Sequence, residues 1–127
     1  MEEALDYWCG RTIGNDVSKL VWQRGDRTMW RAKNTDTFKP MCPWIVTGLD
    51  PKDFRIVVRH NGTVWEGFSS ADQIWAAATW IEELSKYATL SPGDVLWMGT
   101  QGADGDTVPG DASGGATIGI GTLRHSA

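Results

Sequence analysis

Between Phe54 and Phe68, one strand face reads Phe54, Ile56, Val58 and the other Arg55, Val57, Arg59. That period of two predicts a half-buried β-strand. The Asn61-Gly62 pair follows, the dipeptide that best tolerates the positive φ angles of a type I′ turn, and Val64-Trp65 resumes the strand. The period then lengthens. Ala77, Ile81, Leu84 and Ala88 recur at helical spacing with Ile74 on the same side, while Glu82, Glu83 and Lys86 form the polar face. Ser70-Ala71-Asp72-Gln73 has the form of a capping box, so the pattern predicts an amphipathic helix over about 71–87.

The flanking segments are shorter. Glu3 to Trp8 reads as the end of a helix closed by Gly10, and Thr12 to Val17 as a short strand broken by Gly14. Ser18 to Arg31 is mixed, with a turn at Gly25-Asp26. Pro40 and Pro43 bar a helix and keep the chain extended into an apolar strand, Pro43-Trp44-Ile45-Val46-Thr47. After a turn at Pro92-Gly93, Asp94 to Met98 reads as an apolar strand, Gly99 to Gly115 as a polar loop, and Ile118 to Leu123 as a last strand. There is no repeat and no linker. The expectation is one domain over 1–127, mainly β (α+β), with a single amphipathic helix.

Composition sharpens this picture. Eight tryptophans and 15 glycines among 127 residues favour a β-rich fold with tight bends and bulky core residues. Twelve basic and 16 acidic residues give a formal charge of -4 with no basic block, which argues against a nucleic-acid partner. Two cysteines, Cys9 and Cys42, are too few for a disulfide scaffold and read as reduced thiols. No apolar run approaches the ~20 residues of a membrane-spanning helix. The start Met1-Glu2-Glu3 is acidic, unlike a signal peptide. The expected location is cytoplasmic, with no membrane partner.

Candidate chemistry clusters from Arg31 to Thr47, where Lys33, Asp36 and Thr37 lead into the apolar strand. Asp16, at a strand end after Asn15, is either a hard-metal ligand or the cap of an Asx-turn. Lys33 is either a site cation or a solvated lysine. Gly99-Thr100 closes an apolar strand and can present a hydroxyl and backbone N–H groups to an anion. His60, beside the hairpin turn, is expected to be exposed; neither it nor His125 has a partner at metal-ligand spacing. There is no nucleophile elbow, P-loop or dinucleotide fingerprint.

The order of these segments resembles the fumarylacetoacetate hydrolase family, in the C-terminal half of its catalytic domain. The stretches that carry the resemblance include Thr12-Ile13-Gly14-Asn15-Asp16-Val17-Ser18 and Ala32-Lys33-Asn34-Thr35-Asp36-Thr37-Phe38. They continue through Pro43 to Thr47, Leu90-Ser91-Pro92-Gly93-Asp94-Val95, Met98-Gly99-Thr100 and Gly119-Ile120-Gly121-Thr122-Leu123-Arg124. The resemblance implies a mixed β-sandwich roll, here partial, and Mg²⁺ or Mn²⁺ as cofactor. It implies a 2-oxo or 1,3-dioxo acid substrate, C–C bond hydrolysis as the leading reaction, and a homodimer. By the same resemblance Asp16 and Thr37 belong to the metal shell, Lys33 and Gln23 to catalysis, and Thr100 with Gly99 to substrate binding. It also implies a Glu-x-Glu pair of metal ligands upstream of Met1. The chain departs from the family pattern where Lys19-Leu20-Val21 follows Asn-Asp-Val-Ser, and where glycines occupy the stretch from Asp111 to Ala116. Glycine weakens a strand, so that stretch is expected to leave the C-terminal sheet frayed. A non-catalytic β-roll module acting in oligomerisation is the competing expectation.

Overall fold

A computed structural model describes residues 2–50, 52, 54–101 and 105–126. Met1 and part of the expected polar loop, 102–104, lie outside the described residues. The architecture is mainly β with short helices. A four-stranded antiparallel sheet has the order β2-β1-β3-β4, built from β1 (Arg55–His60), β2 (Thr63–Ser69), β3 (Ala112–Thr117) and β4 (Gly121–Ser126). Helices α1 (Leu20–Gln23), α2 (Trp30–Lys33) and α3 (Ala77–Ser85) lie outside the sheet, with 3-10 turns at Glu2–Tyr7 and Ser70–Asp72.

The β1–β2 hairpin forms where the alternation and Asn61-Gly62 place it. Both turn residues have positive φ, 47° and 82°, as a type I′ turn requires. The register slips between Val58 and Arg59, which face Glu66 and Val64. Trp65 is the extra residue of this bulge, and its ring stacks on His60 at 4.0 Å. His60 is accordingly half-buried, against the expectation of exposure; it also bonds Ser113 at 3.1 Å and lies 3.3 Å from Asp111.

Several expected elements are corrected. The helix expected over about 71–87 is confined to Ala77–Ser85. The Ser70 hydroxyl does not cap it: it accepts from the Phe54 N–H at 3.0 Å, while Ser69 caps the short 3-10 turn. Ile74, placed by spacing on the apolar face, precedes the helix and is 96% exposed. The expected helix end from Glu3 to Trp8 is replaced by the 3-10 helix Glu2–Tyr7, which stops before Trp8. Asp94 to Met98 forms no strand, and Val95 in it is exposed. Pro43 to Thr47 contributes one bridge at Val46 and leaves Trp44 and Ile45 exposed, so it is no buried strand.

The C-terminal sheet is also shifted. Ile118 to Ile120 is a turn, and the last strand begins at Gly121. The glycine-rich stretch expected to fray is the central strand β3, paired on both edges. Its small residues suit that place. A Cβ at Gly114 would run into the Leu123 carbonyl oxygen, and one at Gly115 would lie 3.2 Å from the Ile13 side chain. Chain neighbours therefore approach β3 more closely than a side chain would permit.

The core is small: Ile13, Cys42, Phe54, Ile120 and Leu123, flanked by Val46 and Ile56. Cys42 belongs to it as a free thiol, while Cys9 is exposed. Beside the sheet, residues 11–17 and 38–46 run antiparallel. Arg11 and Val46 exchange both backbone bonds, Cys42 N–H donates to Ile13, Asn15 N–H to Pro40, and Val17 N–H to Phe38. The Trp44 indole donates to the Ile120 carbonyl at 2.7 Å and ties this ladder to the β3–β4 turn.

Candidate functional site

The ladder decides what surrounds Asp16. Gly14 faces Met41, so two residues further along the same register Asp16 faces Lys39. The Lys39 ammonium donates to Asp16 Oδ1. Lys33 arrives from the other side, at the end of α2, and donates to Asp16 Oδ2 at 2.5 Å.

Helix α2 is only four residues long and is held from outside. Asp26 accepts from the Ala32 N–H at 3.1 Å and from the Thr28 hydroxyl at 2.8 Å, while Lys19 N–H donates to the Ala32 carbonyl. The Ala32 N–H first, then Thr28, hold the Asp26 carboxyl below its ordinary range. This Asx-type arrangement explains how so short a helix can fix Lys33.

Partial burial pushes the Asp16 carboxyl up, but hydrogen bonds and charge from Lys33 and Lys39 outweigh it and hold it below the usual range. Asp16 is thus ionised and shared by two ammonium groups. All three side chains are about a third exposed, so each pair contributes roughly 0–1 kcal/mol to stability. Positioning, not stability, is what the cluster provides.

Trp97 closes the cluster. Its ring lies 4.8 Å from the Lys39 ammonium and packs against bare Gly14, where a Cβ would come within 2.5 Å of the ring. Trp97, two residues before Gly99, is thereby seated against Gly14 and Lys39. Gly99 has φ 82° and Thr37 φ 75°, both in the left-handed region.

Asp16, Gln23, Lys33, Thr37, Gly99 and Thr100 all line one cleft of about 1880 Å³. The same hollow runs past Tyr7, Trp65, Ser85 and Pro109, well beyond the ~300–1,000 Å³ of a small-molecule pocket, so bordering it does not by itself gather these six residues into one site. Asp16 and Lys33 are in direct contact. Among the described residues, no hydrogen bond joins the Gln23, Thr37 or Thr100 side chains to them.

Sequence reasoning missed Lys39, whose signal was the cross-strand register once 14 and 41 are paired. It also missed Arg11. That guanidinium lies 4.4 Å from the Phe54 ring and 4.9 Å from the Trp8 ring, with Nη2 buried and unpartnered among the described residues. Burial lowers its pKa and the Asp50 charge opposes this. No motif marked Arg11.

The donor set bears on the expected metal. Among the described residues there is no group of three or more His, Cys, Asp or Glu able to hold one. Asp16 is one carboxylate with both oxygens taken by lysines. By themselves these residues do not fit a divalent cation, which needs several oxygen donors.

A mainly β unit with a lysine-flanked carboxylate on the wall of an open cleft is the class of protein that fold and site define. Residues 1–126 match the family described as fumarylacetoacetate (FAA) hydrolase C-terminal. The chain belongs to the fumarylacetoacetate hydrolase family, and its mainly β fold is of that type. Protein Rv2993c of Mycobacterium tuberculosis is 40% identical over 126 residues, 97% of this chain and 48% of that protein. The crystal structure of 5-carboxymethyl-2-hydroxymuconate delta-isomerase from Mycobacterium smegmatis is similar with TM-score 0.93 and 40% identity, over 97% of this chain and 49% of that one. Maleylpyruvate hydrolase from Sphingobium sp. SYK-6 is similar with TM-score 0.85 and 26% identity, over 98% and 46%. The chain spans about half the length of curated relatives such as this one. Relatives in the family are hydrolases and isomerases. No helix among the described residues is long and apolar enough to cross a membrane.

Proposed function

We propose that this chain carries part of the active site of an enzyme acting on 2-oxo or 1,3-dioxo acids, with C–C bond hydrolysis the leading reaction. The observation that supports it is the Asp16–Lys33 pair on the cleft wall, in a chain of this family. Cleavage beside a carbonyl leaves negative charge on an enolate oxygen, and a fixed cation stabilises that charge more in the transition state than in the ground state. Lys33 is the cation, oriented by Asp16. Gln23, at the end of α1, is the group that orients the attacking water. The Gly99 N–H and Thr100 hydroxyl take the substrate carboxylate, on exposed backbone that Gly99 enters with positive φ.

Mg²⁺ or Mn²⁺ is part of the proposal only where oxygen donors beyond this chain's Asp16 and Thr37 complete its shell. No step above passes through it. The homodimer and the cytoplasmic location are proposed with it.

The test is turnover of an acylpyruvate and of oxaloacetate, with Mg²⁺ supplied, by the protein that carries this chain. Lys33→Ala is expected to lower kcat by roughly 10²–10³. Undiminished turnover in Lys33→Ala would sink the assignment of Lys33.

A second reading, a non-catalytic module acting in oligomerisation, is favoured by the exposed Tyr7, Trp30, Trp44, Ile45, Ile74 and Tyr87. Turnover measured beside sedimentation velocity separates the two. A module of that kind associates as concentration rises and shows no turnover; turnover, or a chain that stays monomeric at high concentration, excludes it.

A further inference from the structure

Besides the Asp16 cluster, a second polar group crosses the sheet at one level. Pairing sets Ser113 directly across from His60 on β1 and from His125 on β4. Residues directly opposite one another share a face, so two imidazoles flank one hydroxyl on the same side of the sheet. Ser113 and His125 both border the cleft, and Ser113 is half-buried.

The contacts run in one order. His60 Nδ1 lies 3.1 Å from Ser113 Oγ, and His60 Nε2 lies 3.3 Å from Asp111 Oδ2. An ionised carboxylate can only accept, so Asp111 draws the imidazole proton to Nε2 and leaves Nδ1 to accept from the Ser113 hydroxyl. Asn61 Nδ2 also stands 3.3 Å from Nε2, but it donates to Asp111 Oδ1 at the shorter 2.9 Å. The His60 ring is held in place. Trp65 stacks on it at 4.0 Å, and Trp65 is itself pressed by bare Gly105, where a Cβ would come within 2.5 Å of the indole. On the other flank, Asn15 Nδ2 donates to His125 Nε2 at 2.8 Å, which places the His125 proton on Nδ1 and makes that nitrogen a donor.

We propose that Ser113, His60 and Asp111 form a nucleophilic triad that hydrolyses activated esters of small acids, a second activity distinct from the one assigned to Lys33. Ser113 Oγ attacks the ester carbonyl carbon while His60 Nδ1 takes the hydroxyl proton, and Asp111 holds the imidazolium at Nε2. The C–O bond to the alcohol breaks, and the proton leaves with the alcohol. Water then attacks the acyl group with His60 as base, and the proton so taken returns to Ser113 Oγ as the acid departs. The net reaction is hydrolysis of an ester to an acid and an alcohol. His125, with its Cβ roughly 4.5–5.5 Å from that of Ser113, is the neutral donor beside the developing oxyanion. One side-chain donor is weaker than a pair of backbone N–H groups, so the substrate is an ester with a good leaving group and not an amide. Asp111 is a positioning residue, since it acts through His60.

The experiment is reaction of the protein that carries this chain with a fluorophosphonate, a probe that phosphonylates activated serines, read by peptide mass spectrometry. The label is expected on Ser113. His60→Gln is expected to slow labelling by roughly 10²–10⁴, the contribution of a positioned general base. Asp111→Asn is expected to slow it, and Asp111→Glu to recover much of that loss. Asn keeps the shape of the side chain and Glu its charge, so a merely structural role for Asp111 predicts the reverse order. Hydrolysis of p-nitrophenyl acetate is expected to fall in step with labelling. Far-ultraviolet circular dichroism identifies any variant that has not folded, and His60→Asn then takes the place of His60→Gln.

A native protein that takes no label at Ser113 overturns the proposal, whatever the variants do. Equal labelling of the folded His60 variant and the native protein overturns it as well, and so does Asp111→Asn labelling faster than Asp111→Glu. Labelling at Ser113 without turnover of any 2-oxo acid would leave this inference standing and remove the enzymatic reading of Lys33. Turnover of a 2-oxo acid by a protein that takes no label would do the reverse.

Discussion

At the scale of single residues, several polar side chains in this protein fix one distant segment to another. Asp111 is an example. It accepts from Asn61 Nδ2 and from the Val108 N–H, both at 2.9 Å, and stands 3.3 Å from His60. Asn61 in turn accepts from the Ala112 N–H, so the hairpin turn is tied to the start of β3. The Asn61 bond first, then the Val108 N–H, and the nearby His60 hold the Asp111 carboxyl below its ordinary value against a smaller opposing effect of burial. A carboxyl depressed in the folded state adds stability that is full above its unfolded pKa of about 4 and is lost as pH falls through the lower folded value. Asp111→Asn is therefore expected to flatten part of the acid limb of a stability-versus-pH curve, measured by urea denaturation between pH 5 and 2 (roughly the window for depressed carboxylates). An acid limb as steep as the native one would refute the assignment. The same scale holds the least legible part of the site. Lys33 and Asp16 were visible as residue types, but that they touch, and that Lys39 joins them, depends on a pairing 23 residues apart.

Elements were legible where local physics suffices. The β1–β2 hairpin needed only alternation and a turn dipeptide able to take positive φ, and both are local. Elements that depend on neighbours were misjudged. Helix α3 starts later than its capping signal because the Ser70 hydroxyl is drawn to the Phe54 backbone. Strand β3 has poor intrinsic propensity, yet pairing on both sides and the need for close approach outweigh this. A prediction belongs to that strand. In Gly114→Ala the new methyl meets the Leu123 backbone, which cannot swing aside as a side chain can. The expected loss is about 3 kcal/mol, the upper end for overpacking, read from urea denaturation. A change below ~0.5 kcal/mol would mean that β3 and β4 are not paired in this register.

For the molecule as a whole, the ratio of core to open surface governs behaviour. Phe54 is 3% exposed at the centre of a core with few members, and it also faces the Arg11 guanidinium. Phe54→Ala is expected to cost about 3–5 kcal/mol, a large share of the ~5–15 kcal/mol that stabilises an ordinary domain. Thermal unfolding should then lose its cooperative transition; a variant melting within a few degrees of the native chain would show that the core lies elsewhere. The sequence by itself determined the mainly β class, the hairpin, the family and the residue types of the site, because these follow from local periodicity, turn chemistry and the order of short motifs. Only the tertiary structure decided where α3 begins, that the glycine-rich stretch is a central strand, and that Asp16 is held by two lysines. Each of those depends on which backbone groups meet across distant segments, and a linear pattern of polar and apolar positions does not contain that information.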